Sequence, residues 1–501
     1  MAKIVLINPP NVIQKGDLLG SGIVYMPHGM ASLAAVLRES DLAPTVLDAF
    51  GEDPFRFYRF GDSWAQGLKV DRIIQMVGSD ARIVLIYSAS IHIHGMIRAL
   101  IKGLKKEYPS TVIGVFENTQ AVISYSLVHA AESFMECGVD FIMTGEPEVH
   151  AAEVLRSVLS HRQPGDIPGI ITGNNSNAVI ASSDHIEVDD LDNLPFLAWD
   201  LFPVSNYWNL RYAHGPAGGK YLALLTSRGC PFQCRFCSIP AMTSKRWRAQ
   251  TPQRIVTEMH HWENSLDVSE FHWEDVNPGV DKGRVVKVSE LLTERDFSYT
   301  WKWPSGTKID KFETSDIQTL REGGLTYLSF SPESGSGELL KKMGKKFPHE
   351  KALELVTAMK IAGIRSQACF ILGYPGETDK DRELTGSYIS DLVGSGLDEV
   401  AIFIVTPMPG TPIDDQIPGE RLLSQRTFSP TWRTDYRLLS KWRSRLYRTY
   451  FRTKAKKDPL EFMSMGLRTF TRRFETKAEM NLYRFVHMNL MKTLPFMRIH
   501  I

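Results

Sequence analysis

Cys230, Cys234 and Cys237 fall within eight residues of a 501-residue chain that holds five cysteines in all. A C-x3-C-x2-C array brings three sulfurs to one centre only if the backbone bends around it, so this stretch is read as a loop. Thiolates are soft ligands and select zinc, cuprous copper or iron–sulfur clusters. A closed zinc site takes a fourth Cys or His at finger spacing, and the nearest histidines, His214 and His260, lie outside it. Three thiolates with an open fourth position suit a [4Fe–4S] cluster whose unique iron binds a substrate or cofactor. The alternative is three buried structural cysteines, which such tight clustering disfavours.

The loop has a strand in front of it. Tyr221–Leu225 is an apolar run, and Thr226-Ser227-Arg228-Gly229-Cys230-Pro231-Phe232-Gln233-Cys234-Arg235-Phe236-Cys237-Ser238 follows, with Gly229 and Pro231 ending the strand. Further on, helical spacing over Arg254–Trp262 and Glu350–Ala362 alternates with apolar strands such as Leu325–Phe330. That alternation predicts a partial (β/α) barrel. In the N-terminal third, Lys3–Asn8, Thr45–Asp48, Ile83–Tyr87, Val112–Val115 and Phe141–Met143 read as buried strands. Pro27–Arg38, Val70–Val77, Ile97–Lys106 and Ser126–Cys137 read as helices. Such a βαβ series predicts a Rossmann-like, doubly wound parallel sheet, whose ligands sit at the carboxyl ends of the strands. Those ends carry Asn8-Pro9-Pro10, Ser88-Ala89-Ser90, Gly114-Val115-Phe116-Glu117-Asn118 and Gly145-Glu146-Pro147-Glu148. The predicted architecture is α/β: a doubly wound domain over 1–160, a linker over 161–215, a barrel over 216–420 and a mainly helical basic region over 421–501.

Composition narrows the class. So few cysteines exclude a disulfide-stapled secreted scaffold, and 43% hydrophobic with 23% charged residues is the make-up of a folded chain with ample core. The start runs straight into Asn8-Pro9-Pro10 with no room for a signal peptide, and no apolar run approaches the roughly 18 residues of a membrane span. A cytoplasmic enzyme is expected. The net charge of +1 gives no sign of a nucleic-acid partner, but it is unevenly spread. Residues 431–501 carry 17 Lys+Arg against 5 Asp+Glu, a balance of +12, leaving −11 for residues 1–430. Arg437, Lys441, Arg445, Arg448 and Arg452 recur at three- and four-residue spacing beside Trp442, Tyr447 and Phe451. This stripe reads either as a contact with a membrane surface or anionic substrate, peripheral at the membrane, or as a solvated helix packed on the acidic remainder.

The cysteine loop, with Phe236 before its last Cys, resembles the signature of the radical S-adenosylmethionine (SAM) superfamily. Ser331-Pro332-Glu333-Ser334-Gly335-Ser336 and Phe370-Ile371-Leu372-Gly373-Tyr374-Pro375-Gly376-Glu377 resemble that superfamily's SAM-binding turns. Thr406–Pro412 resembles its closing-strand segment. The resemblance implies that Cys230, Cys234 and Cys237 hold the cluster and that Phe236, Glu333, Ser334, Gly373, Pro375 and Glu377 lie against SAM. Cys369 and Cys137 read as packing residues. The opening Asn-Pro-Pro, Pro27–Leu37 and Gly145-Glu146-Pro147-Glu148 resemble the cobalamin-binding domain fused to some members, so the resemblance spans about residues 1–415. It implies cobalamin contacts at Ser88, Ser90, Gly114, Gly145 and Glu146. Where many members have Gly-Gly at the end of the fourth strand, this chain has Gly114-Val115-Phe116-Glu117-Asn118. His92-Ile93-His94-Gly95 is superficially similar to the cobalt-ligating Asp-x-His-x-x-Gly, but it follows a later strand. His92 is therefore read as a polar helix start, and Trp64 as a core residue in a loop.

The activity so implied begins with cleavage of SAM by the cluster, using an external one-electron reductant such as flavodoxin or ferredoxin. A methyl group then passes through methylcobalamin to an unactivated carbon of a small-molecule or lipid substrate, such as a natural-product intermediate. A radical rearrangement, cyclisation or oxidative ring closure is the alternative within enzymes. A non-catalytic iron–sulfur redox sensor or binding module is the alternative outside them. Methylthiotransferases are set aside, since Cys137 alone cannot hold the second cluster they require.

Overall fold

Strand β1 (Lys3–Asn8) is buried from Ile4 onward, as a strand between two helical layers must be. The computed structural model describes residues 2–15, 17, 20–119, 123–174, 177–180, 186–419, 422–426 and 429–493. Helix α1 (His28–Glu39) buries Met30, Leu33, Ala34 and Leu37, and β2 (Thr45–Asp48), β3 (Ala81–Ser88), α2 (His94–Glu107), β4 (Val112–Glu117) and β5 (Phe141–Met143) follow. The five strands are parallel in the order β2-β1-β3-β4-β5. That order reverses direction between β1 and β3, which is where a doubly wound sheet opens a crevice for its ligand. Each of the five predicted strands is present.

Several expectations are corrected. The sheet does not stop at residue 160: β6 (Ile170–Asn174) pairs antiparallel with β5, and β7 (Asn177–Ile180) pairs antiparallel with β6, so part of the expected linker is sheet. The helix expected over Ser126–Cys137 shrinks to one 3-10 turn and Ala131–Met135. The buried Glu117 carboxylate holds Leu127 N at 2.6 Å and fixes the chain in an irregular approach there. Trp64 lies on a strand, Ser63–Gln66, in a small antiparallel sheet with Asn11–Ile13 and Phe57–Phe60. It is half-buried there under Arg59 and Lys492.

The second domain is built from six parallel strands in sequential order: β8 (Tyr221–Leu224), β9 (Glu270–Trp273), β10 (Thr300–Thr307), β11 (Leu325–Glu333), β12 (Arg365–Leu372) and β13 (Glu399–Ile404). Helices α3 (Pro252–Leu266), α4 (Lys282–Glu294), α5 (Thr314–Glu322), α6 (His349–Ala362) and α7 (Asp379–Gly394) connect them on the outside. Local chemistry starts these helices. Thr251 caps α3 ahead of Pro252, and Thr378 with Asp381 forms a reciprocal capping box on α7. Thr406–Pro412, expected as part of a strand, follows β13 as a loop and runs onto the first domain, where Met408 joins its core.

A six-strand barrel leaves a seam between β13 and β8. The C-terminal helices α8 (Tyr436–Lys457), α9 (Pro459–Thr471) and α10 (Lys477–Thr493) attend to it. On α8, Leu439, Trp442, Leu446 and Tyr450 are buried, while Arg437, Lys441, Arg445, Arg448 and Arg452 stay exposed. Helix α10 spans the seam itself. Glu399 of β13 accepts from Lys477 N at 3.0 Å and Ala478 N at 2.6 Å, and Met480 Sδ accepts from Ala213 N ahead of β8. No helix among the described residues is long and apolar enough to cross a membrane.

Candidate active site

The cysteine loop leaves β8 through Ser227–Arg228, which pairs with Arg248–Ala249. Gly229 turns it with φ +76°, and a Cβ there would stand 2.2 Å from Arg246 O, so only glycine fits. Cys230, Cys234 and Cys237 follow as free thiols, all half-buried on one loop. Burial raises each thiol, Cys237 up to about 12, because desolvation penalises the thiolate more than nearby Lys345 stabilises it. Among the described residues no group of three or more His, Cys, Asp or Glu side chains is placed to hold a metal ion. Asn277 Nδ2 points at Cys230 Sγ from 3.9 Å, and its Oδ1 accepts from Thr307 Oγ1 at 2.7 Å. Phe236 is partly buried against Leu339 and Met343.

Residue Glu333 ends β11 in a left-handed conformation, φ +66°, that a non-glycine residue rarely holds. Its carboxylate is ion-paired with buried Lys345 at 2.7 Å, and Lys345 stands beside the thiols of Cys234 and Cys237. A carboxylate and an ammonium thus lie together beside the sulfurs. Ser334 turns inward instead, sharing a hydrogen bond with Thr385 Oγ1 at 3.2 Å. Gly373 and Glu377 form a self-braced turn around half-buried Pro375: Gly373 N donates to Glu377 Oε2 at 2.7 Å, as does Arg382 Nε at 3.0 Å. Cys369 lies within 3.4 Å of Ser329 Oγ inside the barrel.

A half-open cleft of about 50 Å³ lies at the switch point of the first domain. Asn8, Pro9, Tyr25, Met26, His28, Phe50, Ser90, His92 and Asn118 are among its walls, and no wall residue is Lys, Arg, Asp or Glu. Such a lining suits a broad apolar ring edged by neutral amides better than a phosphate. His28 is buried with both ring nitrogens unpartnered, and burial holds it neutral down to about pH 4. His92 meets Ser90 Oγ at 3.2 Å, whereas His94 spends its nitrogens on Tyr125 OH (2.9 Å) and Ser133 Oγ (2.8 Å), away from the cleft.

Of the five residues expected against cobalamin, only Ser90 lines this cleft. Ser88 bonds Tyr125 OH at 3.1 Å. Gly114 lies inside β4, where a Cβ would stand 2.5 Å from the Phe141 ring, so its role is packing. Gly145 has φ +72° and donates its N–H to Glu117 Oε2 at 2.7 Å. Glu146 is 1% exposed and ion-pairs with Arg248 at 2.7 Å and Arg228 at 3.3 Å. These last contacts join the two domains. Tyr25 also packs its ring at a tilt against His214, centroids 4.4 Å apart, and His214 Nδ1 meets Glu274 Oε2 at 2.6 Å just past β9. Sequence reading assigned no role to His28, His214, Glu274, Asn277 or Lys345. The available signal was Glu274-Asp275-Val276-Asn277, a polar run at the carboxyl end of a barrel strand.

Residues 224–389 match the model of the Radical SAM superfamily. An uncharacterized methyltransferase from Pyrococcus horikoshii is 25% identical over 410 residues, covering 82% of each chain. Cytidylyl-2-hydroxyethylphosphonate methyltransferase from Streptomyces wedmorensis is 22% identical over 453 residues, 82% of this chain and 80% of that one. The structure of the radical S-adenosylmethionine methyltransferase TsrM from Kitasatospora setae, with cobalamin and a [4Fe–4S] cluster bound, aligns with a TM-score of 0.64. It is 15% identical, and the alignment covers 83% of this chain and 77% of that one.

Proposed function

We propose that this chain, whose residues 224–389 match the Radical SAM superfamily and whose fold is that of the cobalamin-dependent radical SAM methyltransferases, methylates an unactivated carbon by way of cobalamin. One observation carries this reading: the thiol loop is tied directly to the doubly wound domain. Arg228, two residues before Cys230, donates to Ser32 Oγ at 3.0 Å and Glu148 Oε1 at 2.8 Å of the first domain. When bound, the cluster and SAM supply hydrogen abstraction, and cobalamin supplies the methyl group.

The chain's own residues hold and align the reactants. Cys230, Cys234 and Cys237 ligate the cluster, with Asn277 donating toward the first sulfur. Glu333 and Lys345 offer opposite charges beside the cluster, matching the amino and carboxylate groups of SAM. Gly373, Pro375 and Glu377 border its adenine, and Phe236 its cluster side. The neutral cleft with Ser90, His92 and the unpartnered His28 takes the corrin. The Tyr25–His214–Glu274 group lies between and orients substrate, which we read as a lipid or natural-product intermediate. A flavodoxin or ferredoxin supplies the electron.

Anaerobic reconstitution with iron, sulfide and cobalamin tests the proposal. The protein should retain cobalamin after desalting and, with methyl-deuterated SAM and substrate-containing extract, deliver the deuterated methyl group to product. A chain that holds no cobalamin and yields only unlabelled, rearranged product would refute it.

A further inference from the structure

Helix α9 is turned inside out. Its inward face is ionic: Arg468 pairs with Glu461 at 2.5 Å and Glu479 at 2.7 Å, and Glu461 also pairs with Arg365 at 2.9 Å. The side chains of Glu461 and Arg468 are each only 14% exposed. Leu460, Met463, Leu467 and Phe470, spaced three and four apart on the opposite face, are 80%, 73%, 65% and 89% exposed. No residue of α9 is buried. A helix of a soluble domain points its apolar stripe at the core, and an outward stripe marks a contact surface.

What covers the stripe is set by the charge around it. Exposed Arg452, Lys456 and Lys457 end α8 just before it, and exposed Arg473 follows it, within a C-terminal region whose balance is +12. A second copy docked by two-fold symmetry would bring that cationic region against itself. An anionic surface complements it. An apolar helical face rimmed by Lys and Arg is the pattern of a helix lying in the plane of a lipid headgroup layer. We propose that α9 seats the enzyme on an anionic membrane surface, with Leu460, Met463, Leu467 and Phe470 entering the headgroup–acyl boundary. The proposal stands apart from methyl transfer and can fail without it.

The test is co-sedimentation of the full, anaerobically purified chain with vesicles of phosphatidylcholine alone or with equal parts phosphatidylglycerol. The protein should sediment with the mixed vesicles at low salt and much less with phosphatidylcholine, and high salt should weaken binding by screening. Met463→Glu with Leu467→Glu should cut the partition coefficient about tenfold or more while leaving the melting temperature unchanged, since both side chains already face solvent. Arg473→Glu should weaken binding at low salt and lose its effect at high salt. Absence of binding to the mixed vesicles at low salt would overturn the proposal, as would binding that the double variant retains. So would a vesicle-indifferent dimer that the double variant dissociates in sedimentation equilibrium, which would assign the face to a second copy.

Discussion

Arg228 donates through Nη2 to Glu148 Oε1 at 2.8 Å, with both side chains enclosed, and so anchors the thiol loop to the doubly wound domain. Ser32 Oγ donates to the same carboxylate oxygen at 2.5 Å, and the Arg248–Glu146 pair runs alongside at 2.7 Å. Buried ions therefore fix the distance between the two cofactor-bearing edges.

Removing one partner of such a pair leaves the other charge buried and unmatched, which costs about 3–5 kcal/mol. Arg228→Ala should accordingly lower the melting temperature sharply, while Arg228→Met combined with Glu148→Gln should recover much of the loss. Thermal unfolding under anaerobic conditions reads both. A single variant that melts like the parent chain would show that the pair carries no load.

Replacing Cys230 with Ala should abolish retention of iron and sulfide after reconstitution and take 5′-deoxyadenosine production below detection. Cys137→Ala should change neither, since its Sγ bonds Ser133 O at 3.3 Å within the first domain. Iron content and deoxyadenosine assays decide the matter, and a Cys230 variant with full cluster content would refute the ligand assignment.

Stability should depend on pH in a defined direction. Burial pushes His28, His92, His150 and His487 down to about 4 and His94 to about 3. Unfolded imidazoles take up protons near 6.5 while these stay neutral, so the unfolded chain binds more protons between about pH 4 and 6.5. Stability from this source is present above 6.5 and lost as pH falls toward 4. Burial pushes Glu117 up to about 7, so there the folded chain holds the extra proton and stability falls as pH rises from about 4.5 to 7. The five imidazoles should make the melting temperature climb from pH 4 to 6.5, against the pull of Glu117 and of Asp48, Glu258, Asp275, Glu377 and Glu399, which burial also raises. His28→Phe should flatten that climb and Glu117→Gln should steepen it; slopes unchanged in both would contradict the account.

Glu399 accepts from Tyr327 OH at 2.5 Å as well as from the first two N–H groups of α10. Glu399→Ala leaves buried donors unpaired, at about 1–3 kcal/mol for each group, and should lower the melting temperature by several degrees. Glu399→Gln, which keeps one acceptor, should do less harm. Equal melting of all three proteins would mean that α10 needs no anchor on β13.

Both sheets were legible because their strands are continuous apolar runs, such as Ile83–Tyr87, flanked by periodic helices. The thiol loop was legible because its three ligands are neighbours in sequence. Residues brought in from afar were not. Lys345 reaches Glu333 across a turn, His28 lies far in sequence from Glu274, and Glu146 looked like a ligand residue while its partner is Arg248. Gly114 is hemmed in the same way: a Cβ there would meet the Phe141 ring, a contact that no motif in the sequence announces. The basic spacing of α8 was plain in the sequence, yet the inverted face of α9 emerges only once Arg468 is seen to face Glu461 and Glu479.

The element that shuts the barrel seam is the last of the described elements to leave the ribosome. The contact between Ala213 N and Met480 Sδ spans 267 positions, and Glu399 waits 78 positions for Lys477 N. Contacts so remote in sequence are slow to form, because the intervening chain must be ordered before they add stability. Until α10 has been made, the β13–β8 edge lacks the N–H donors that Glu399 accepts and the sulfur that Ala213 N meets.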